Sequence, residues 1–358
     1  MSVNNENAKW TIYDVAREAG VSAKTVSRVL NNKPGVGKET RARILQIMRQ
    51  VGYHPHIGAR SLRGKQRGSI GVVLPAPMDV VPISEGMFLW LFVELYRVFG
   101  SKGEYVCFDL NPYETSPTGD YARGLWGQLY KACVVAGPLA SADTTIRRIH
   151  DSGIPYMALG RLDALPECSS ATVDYEEGAY LSTKFLLGRG HTRIAMLKAF
   201  PDFQPGVERR RGYLRALEEA GIAAQESLMQ SVTFGARNIA NVVHRLLVDE
   251  DVTALIDCSA TEDATGLREG ARKAGRKPGK DFEIVPWTYS DDGAVLSEAT
   301  AHLWLPVREA AAEGFERLAA WVKGEGKGPI KILYRPILNV TVHGQEIPRP
   351  KRLFDLLE

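Results

Sequence analysis

Two short amphipathic stretches joined through a glycine restrict the start of this chain more than any other feature. In residues 11–32, TIYDVAREAGVSAKTVSRVLNN, the first stretch sets Ile12, Val15, Ala16 and Ala19 at i, i+3, i+4 and i+7, the spacing of one helix face. Gly20 suits the left-handed backbone that ends a helix. Ser22 stands where a side chain caps the next helix, whose inward face is Val26, Val29 and Leu30. The outward side keeps Ala23, Lys24, Thr25, Ser27, Arg28 and Asn31, which are small, polar or basic. Side chains of this kind reach base edges and phosphates in a DNA groove without steric conflict. The competing reading is an ordinary αα-hairpin with a solvated polar face. A third helix is predicted over residues 38–51, with Ile44, Met48 and Val51 turned inward. Three such helices close only a thin core, which a partner or DNA would help to order.

Charge is divided unevenly along the chain. Residues 1–67 hold 13 Lys and Arg against 4 Asp and Glu, a net of +9. The remaining residues hold 32 against 38, a net of −6, so the overall +3 conceals a basic arm on an acidic body. That asymmetry is an electrostatic footprint for nucleic acid, borne by one end only. The 44% hydrophobic and 24% charged composition over 358 residues fits a soluble chain of two or three domains. The first ten residues, MSVNNENAKW, lack the apolar stretch of a signal peptide. No uncharged apolar run approaches membrane-spanning length, which excludes a membrane partner; MFLWLFVELYRVF, broken by Glu94 and Arg97, reads as a buried helix. Cys107, Cys133, Cys168 and Cys258 lack ligand or redox spacing and read as reduced core or strand cysteines of a cytoplasmic protein. GxGxxG, GxxxxGK[ST], GxSxG and HExxH are all missing, and the seven histidines are scattered. The expectation is a protein that is not an enzyme and uses neither cofactor nor metal.

From Ser69 onward short apolar runs alternate with amphipathic helices. SIGVVLP, YVCFDL, KACVVAG, PYMALG, RIAMLK, TALIDC and EIVPW read as strands. Helices are predicted near residues 87–99, 143–152, 176–187, 208–220, 236–247, 263–274 and 307–323. This alternation means parallel sheets covered on both faces. About 270 residues exceed one comfortable doubly wound sheet, so two subdomains with a cleft are expected.

YDVAREAGVSAKTVSRVLN, ETR in the third helix, GYHP and ARSL together resemble the DNA-binding headpiece and hinge of the lactose/galactose/purine repressor (LacI) family. The resemblance continues over nearly the whole chain. It implies an all-α helix-turn-helix headpiece with a hinge helix over residues 10–64. It further implies an α/β periplasmic-binding-protein-like core of two subdomains over residues 69–345. The family pattern places Ala23, Lys24 and Arg28 at major-groove reading positions, with Thr11, Ser22, Thr25, Ser27 and Asn31 completing the DNA face. Leu62, flanked by Ala59, Arg60 and Arg63, falls on the hinge leucine that wedges into the minor groove, where unstacking a base step is offset by added contacts to bent DNA; the alternative is a linker leucine packed on its own domain.

For the core, the resemblance implies a small-molecule effector. Its arginine, three residues before the Gly-aromatic pair of RxxGY, is Arg209, a fork for sugar hydroxyls or a carboxylate; the alternative is a solvated helix start. Phe234 matches the family's ligand-stacking aromatic, or is a core residue, and Phe88 and Glu177 join the expected set. Two positions depart from the pattern. Ala260 and Thr261 stand where the family has Asn-Asp, and VPWTYSDDG aligns Trp287 with an aromatic and Thr288 with an aspartate, unless a slipped loop brings Asp291 or Asp292 there. Trp287 is expected to compensate by stacking on a sugar. The resulting expectation is a homodimeric repressor of sugar-utilisation genes, binding a palindromic operator in double-stranded DNA and switched by a carbohydrate; the alternative is a corepressor-dependent regulator that senses a non-sugar metabolite. The end KRLFDLLE has no heptad tail and favours a dimer over a tail-built tetramer.

Overall fold

The computed structural model describes residues 10–30, 33–51, 53, 69–75, 85–109, 120–198, 202–232, 236–259, 264–289 and 296–340. The chain divides into two compact units, Met1–Arg67 and Gly68–Glu358.

In the first unit α1 spans Ile12–Glu18, α2 Ala23–Leu30 and α3 Lys38–Gln50. Thr11 and Asp14 form a capping box at the start of α1: Asp14 N–H donates to Thr11 Oγ1 at 3.3 Å, and Thr11 N–H to Asp14 Oδ2 at 2.9 Å. Gly20 turns the chain at φ +61°, and the Thr25 amide donates to Ser22 Oγ at 3.1 Å, capping α2. Val15, Ala16, Ala19, Val26, Val29 and Ile44 form the buried core, while Leu30 and Met48 lie at its margin.

The described residues of the second unit form two six-stranded sheets. In the first, β1 (Ser69–Val73), β2 (Val106–Asp109), β3 (Tyr130–Val135), β4 (Tyr156–Ala158), β5 (Ser170–Val173) and β11 (Lys331–Tyr334) lie in the order β11-β5-β4-β3-β1-β2. All neighbours there are parallel. In the second, β6 (Ile194–Lys198), β7 (Met229–Ser231), β8 (Ala254–Cys258), β9 (Glu283–Thr288), β10 (Ala301–Trp304) and β12 (Ile337–Val340) lie in the order β12-β10-β9-β8-β6-β7. Only β12 runs antiparallel to its neighbour. Helices α4 (Glu85–Val98) and α11 (Val307–Lys323) cover one face of the first sheet, with α5 (Arg123–Trp126) and α6 (Thr144–Asp151) on the other. On the second sheet α7 (Tyr175–Gly188) and α8 (Gln204–Glu219) lie opposite α9 (Ala236–Val248) and α10 (Thr265–Lys273). Among the described residues the chain passes between sheets three times: after β5, after β10 and after β11.

Most of the apolar runs became the buried strands expected of sheets covered on both faces; β2, at the edge of the first sheet, buries only Asp109. Strands β5, β7, β10, β11 and β12 were not predicted. They are three or four residues long and interrupted by Ser, Thr, His, Gln, Lys or Asn, and β7, β11 and β12 are sheet edges. The prediction of a fully buried α4 is also corrected. Trp90, Leu91, Leu95 and Val98 pack inward, and the buried Glu94 accepts from Arg97 Nη2 at 2.6 Å, but Leu89, Phe92 and Tyr96 are exposed. All four cysteines are free thiols; Cys133, Cys168 and Cys258 are buried and Cys107 is exposed on β2. Among the described residues no helix is long and apolar enough to cross a membrane.

Candidate nucleic-acid interface and ligand site

On α2, Lys24 and Arg28 are exposed and stand four residues apart, one helical turn, on the same side. Arg28 Nη2 donates to the Pro34 carbonyl at 3.2 Å, and a Cβ at Gly35, whose φ is +92°, would sit 3.2 Å from that nitrogen. The loop therefore cradles the Arg28 guanidinium. Ser22 Oγ lies 2.9 Å from Thr25 Oγ1, and Thr11 Oγ1 donates to Asp14 Oδ2 at 2.6 Å, so these hydroxyls serve the helix caps. Ser27 is half-buried. Ala23 corrects its predicted outward placement: it is half-buried against the three-helix core, because the first turn of so short a helix lies against the preceding one. Asn31, Ala59, Arg60, Leu62 and Arg63 lie outside the described residues.

The ligand-site candidate centres on Arg209, which α8 holds at 1% exposure. Its guanidinium carbon is 4.9 Å from the Tyr175 ring centroid and 5.3 Å from that of Trp287, and those rings are nearly parallel at 10°. Arg209 Nη2 donates to the Tyr289 hydroxyl at 2.9 Å. Burial pushes the Tyr289 phenol up even though Arg209 opposes the shift, so it stays a neutral acceptor here.

Two glycines make this packing possible. A Cβ at Gly212 would lie 1.9 Å from the Glu176 carbonyl oxygen and 2.9 Å from Tyr180 N, so the glycine of RxxGY lets α8 and α7 touch backbone to backbone. The adjacent Tyr213 hydroxyl donates to the Ile194 carbonyl at 2.7 Å and ties α8 to β6. A Cβ at Gly178 would meet Leu303 Cδ2 at 2.9 Å and Trp287 Cη2 at 3.1 Å, so α7 leaves room for the indole. Trp287 is 3% exposed and its Nε1 donates to Ser182 Oγ at 3.2 Å. The prediction of an open stacking platform is thus corrected: the indole is packed between Tyr175, Arg209 and α7. Thr288 is half-buried, and its carbonyl accepts from Leu305 N at 2.9 Å beside the second crossing. Phe88 lies within α4, but its side chain is outside the described residues, as are Phe234, Ala260, Thr261, Asp291 and Asp292.

The two layers of the core meet close to Arg209. Gln204 N–H donates to the Leu139 carbonyl at 2.9 Å, and Ala140 pairs with Phe203. Arg161, three residues beyond β4, gives Nε to Glu208 Oε1 at 2.8 Å and reaches Asp174 Oδ1 at 3.3 Å. Arg211 pairs with Asp163 and, at 2.9 Å, with Glu176; Arg215 joins Glu176 at 2.9 Å and Glu177 at 3.2 Å. A cavity of about 690 Å³ abuts this network, lined in part by Arg161, Asp174, Glu177, Arg211 and Arg215 but not by Arg209. Glu177 therefore faces a different space from the arginine with which it was grouped. The sequence reading missed Arg161, Tyr175, Glu208 and Tyr289. Glu208, next to Arg209, and Tyr289, two residues after Trp287, carried a local signal. No cluster of three or more His, Cys, Asp or Glu fit to hold a metal occurs among the described residues.

A basic three-helix unit in one chain with a two-layer α/β core fits the class of DNA-binding regulators. Residues 11–56 match the model of bacterial regulatory proteins of the lacI family, and residues 100–299 that of periplasmic binding proteins and the sugar binding domain of the LacI family. The chain belongs to the LacI family and is a DNA-binding transcriptional regulator, not an enzyme. It is 27% identical over 338 residues to the HTH-type transcriptional regulator DegA of Bacillus subtilis (strain 168), covering 93% of this chain and 97% of that one. To catabolite control protein A of Priestia megaterium it is 28% identical over 280 residues, 77% and 81% of the two chains. The Lac repressor dimer bound to operator and the anti-inducer ONPF shares the fold, with a TM-score of 0.73 at 21% identity over 92% of this chain and 97% of that one.

Proposed function

We propose that the protein is a homodimeric repressor of sugar-utilisation genes, whose affinity for a palindromic operator is lowered by a carbohydrate bound between the two layers of its core. The carrying observation is the union, in one chain, of an exposed Lys24 and Arg28 pair on a strongly basic unit with a buried arginine at a junction between layers. In this reading residues 10–64 are the DNA-binding domain with its hinge and residues 69–345 the effector and dimerisation domain. Helix α2 enters the major groove, Lys24 and Arg28 contact bases and phosphates, and Leu62 wedges at the operator centre. The exposed Leu89, Phe92 and Tyr96 of α4 support pairing with a second copy, whose two-fold symmetry matches a palindrome. Arg209 and Thr288, with Phe88 and Phe234, serve the effector site. Ligand binding shifts the layers and uncouples the hinges, with a coupling of about 1–3 kcal/mol. The protein works in the cytoplasm, without cofactor.

The test is selection of bound genomic fragments by purified protein, followed by footprinting. A short palindrome protected on both halves, with a distorted central step, is the expected result. Uniform, salt-sensitive binding without a preferred site would refute sequence-specific reading. Calorimetry against a sugar panel then tests the effector, and silence from every sugar alongside binding of another metabolite class would refute the carbohydrate assignment.

A further inference from the structure

Glu208 precedes Arg209 on α8 and is also 1% exposed. Its two oxygens are used unequally. Oε1 accepts from Arg161 Nε at 2.8 Å and from Gln204 Nε2 at 3.3 Å, whereas Oε2 has no hydrogen-bond partner among the described residues. A buried carboxylate oxygen left without a donor is costly, and an arriving donor recovers that cost. Glu208 lies where the layers meet, because Arg161 comes from the first and α8 belongs to the second. The adjacent cation is already engaged by Tyr289 and by the rings of Tyr175 and Trp287. Glu208 Oε2 is therefore an open acceptor at this junction.

We infer that Glu208 Oε2 accepts a hydroxyl hydrogen from the effector and selects an uncharged saccharide over its carboxylated or phosphorylated counterpart. The inference rests on the carbohydrate reading above and adds the ligand's charge class. A neutral sugar fills the empty acceptor position with an O–H donor. A uronate or sugar phosphate brings a second negative charge against a carboxylate that has little solvent to screen it. Burial raises the Glu208 carboxyl, while Arg161 and Gln204 favour its ionised form.

The experiment titrates full-length protein calorimetrically with neutral glucose, galactose and cellobiose, and with glucuronate, galacturonate and glucose 6-phosphate. The expected result is a neutral sugar binding at least about tenfold more tightly than its acidic counterpart. Glu208→Gln, which puts an amide donor in place of the free acceptor, weakens the neutral ligand by about 10–100-fold and erases the discrimination. Glu208→Asp retains the charge and keeps the preference for neutral ligands. If Glu208→Gln does not fold, the wild-type ratio and Glu208→Asp carry the test. An anionic sugar that binds best overturns the inference and leaves the carbohydrate reading standing. Failure of every saccharide, with a different metabolite class bound, overturns both.

Discussion

Gly212→Ala is a sharp test of how the ligand site is built. The added Cβ would stand 1.9 Å from the Glu176 carbonyl oxygen, 2.9 Å from Glu176 C and 2.9 Å from Tyr180 N. All three are backbone atoms of a neighbouring helix, so no side-chain rotation relieves the clash; α7 and α8 must separate. Overpacking of a well-filled interior costs about 1–3 kcal/mol, and a contact made wholly with backbone belongs at the upper end. At about 2–4 °C per kcal/mol for a body of this size, the core should melt roughly 5–10 °C lower. The control is Gly188→Ala at the end of α7, where an added Cβ meets nothing within 4 Å and replacing a helical glycine stabilises by up to about 1 kcal/mol. Differential scanning calorimetry of the two full-length variants gives the comparison directly. Equal melting temperatures for Gly212→Ala and Gly188→Ala would refute the claim that α8 is seated by a glycine contact.

Three further outcomes follow from individual contacts. Ser22→Ala removes the side-chain acceptor of the Thr25 amide and leaves only the Ser22 carbonyl at 2.9 Å, at a cost of about 1 kcal/mol, so hydrogen exchange at Thr25 should accelerate about fivefold; unchanged exchange would show that the hydroxyl cap contributes nothing. Tyr289→Phe deletes the acceptor 2.9 Å from Arg209 Nη2 and should destabilise the core by about 1–2 kcal/mol in urea, whereas an unshifted midpoint would exclude that bond as a support for Arg209. Buried His302, with Nε2 3.2 Å from the Leu296 carbonyl, has its pKa driven below 6.5 by burial, against a smaller opposing pull from that carbonyl. The folded state keeps the ring neutral where the unfolded chain takes up a proton, so its stabilising contribution is full above pH 6.5 and falls as pH drops from 6.5 to the folded value. An NMR titration placing His302 at or above 6.5 would reverse that sign.

Local periodicity made the layered α/β core and the helices of the first unit legible, because burial on one face leaves its mark every three or four residues. It also identified Val15, Val26 and Ile44 as headpiece core. It did not reveal β11 and β12, short edge strands whose exposed face breaks the apolar run. Trp287 shows a different limit: an indole has the same composition whether its face awaits a sugar or rests on Tyr175, and only the packing distinguishes the two. The partners of the site were hidden by sequence distance, since Arg161 meets Glu208 across 47 positions and Arg209 meets Tyr289 across 80.

The arginine and glycine of RxxGY, legible as a pattern, acquire a joint physical reason from α7. Gly212 sits on the backbone of Glu176 and Tyr180, which draws α8 onto the first turns of α7. Arg209 lies three residues earlier, nearly one helical turn, and on the same side. The close approach that only glycine permits is therefore what sets the guanidinium over Tyr175, the first residue of α7. Displacing α8 at Gly212 should move Arg209 away from its rings as well as loosen the helix pair, which makes the spacing between the two residues a single structural requirement.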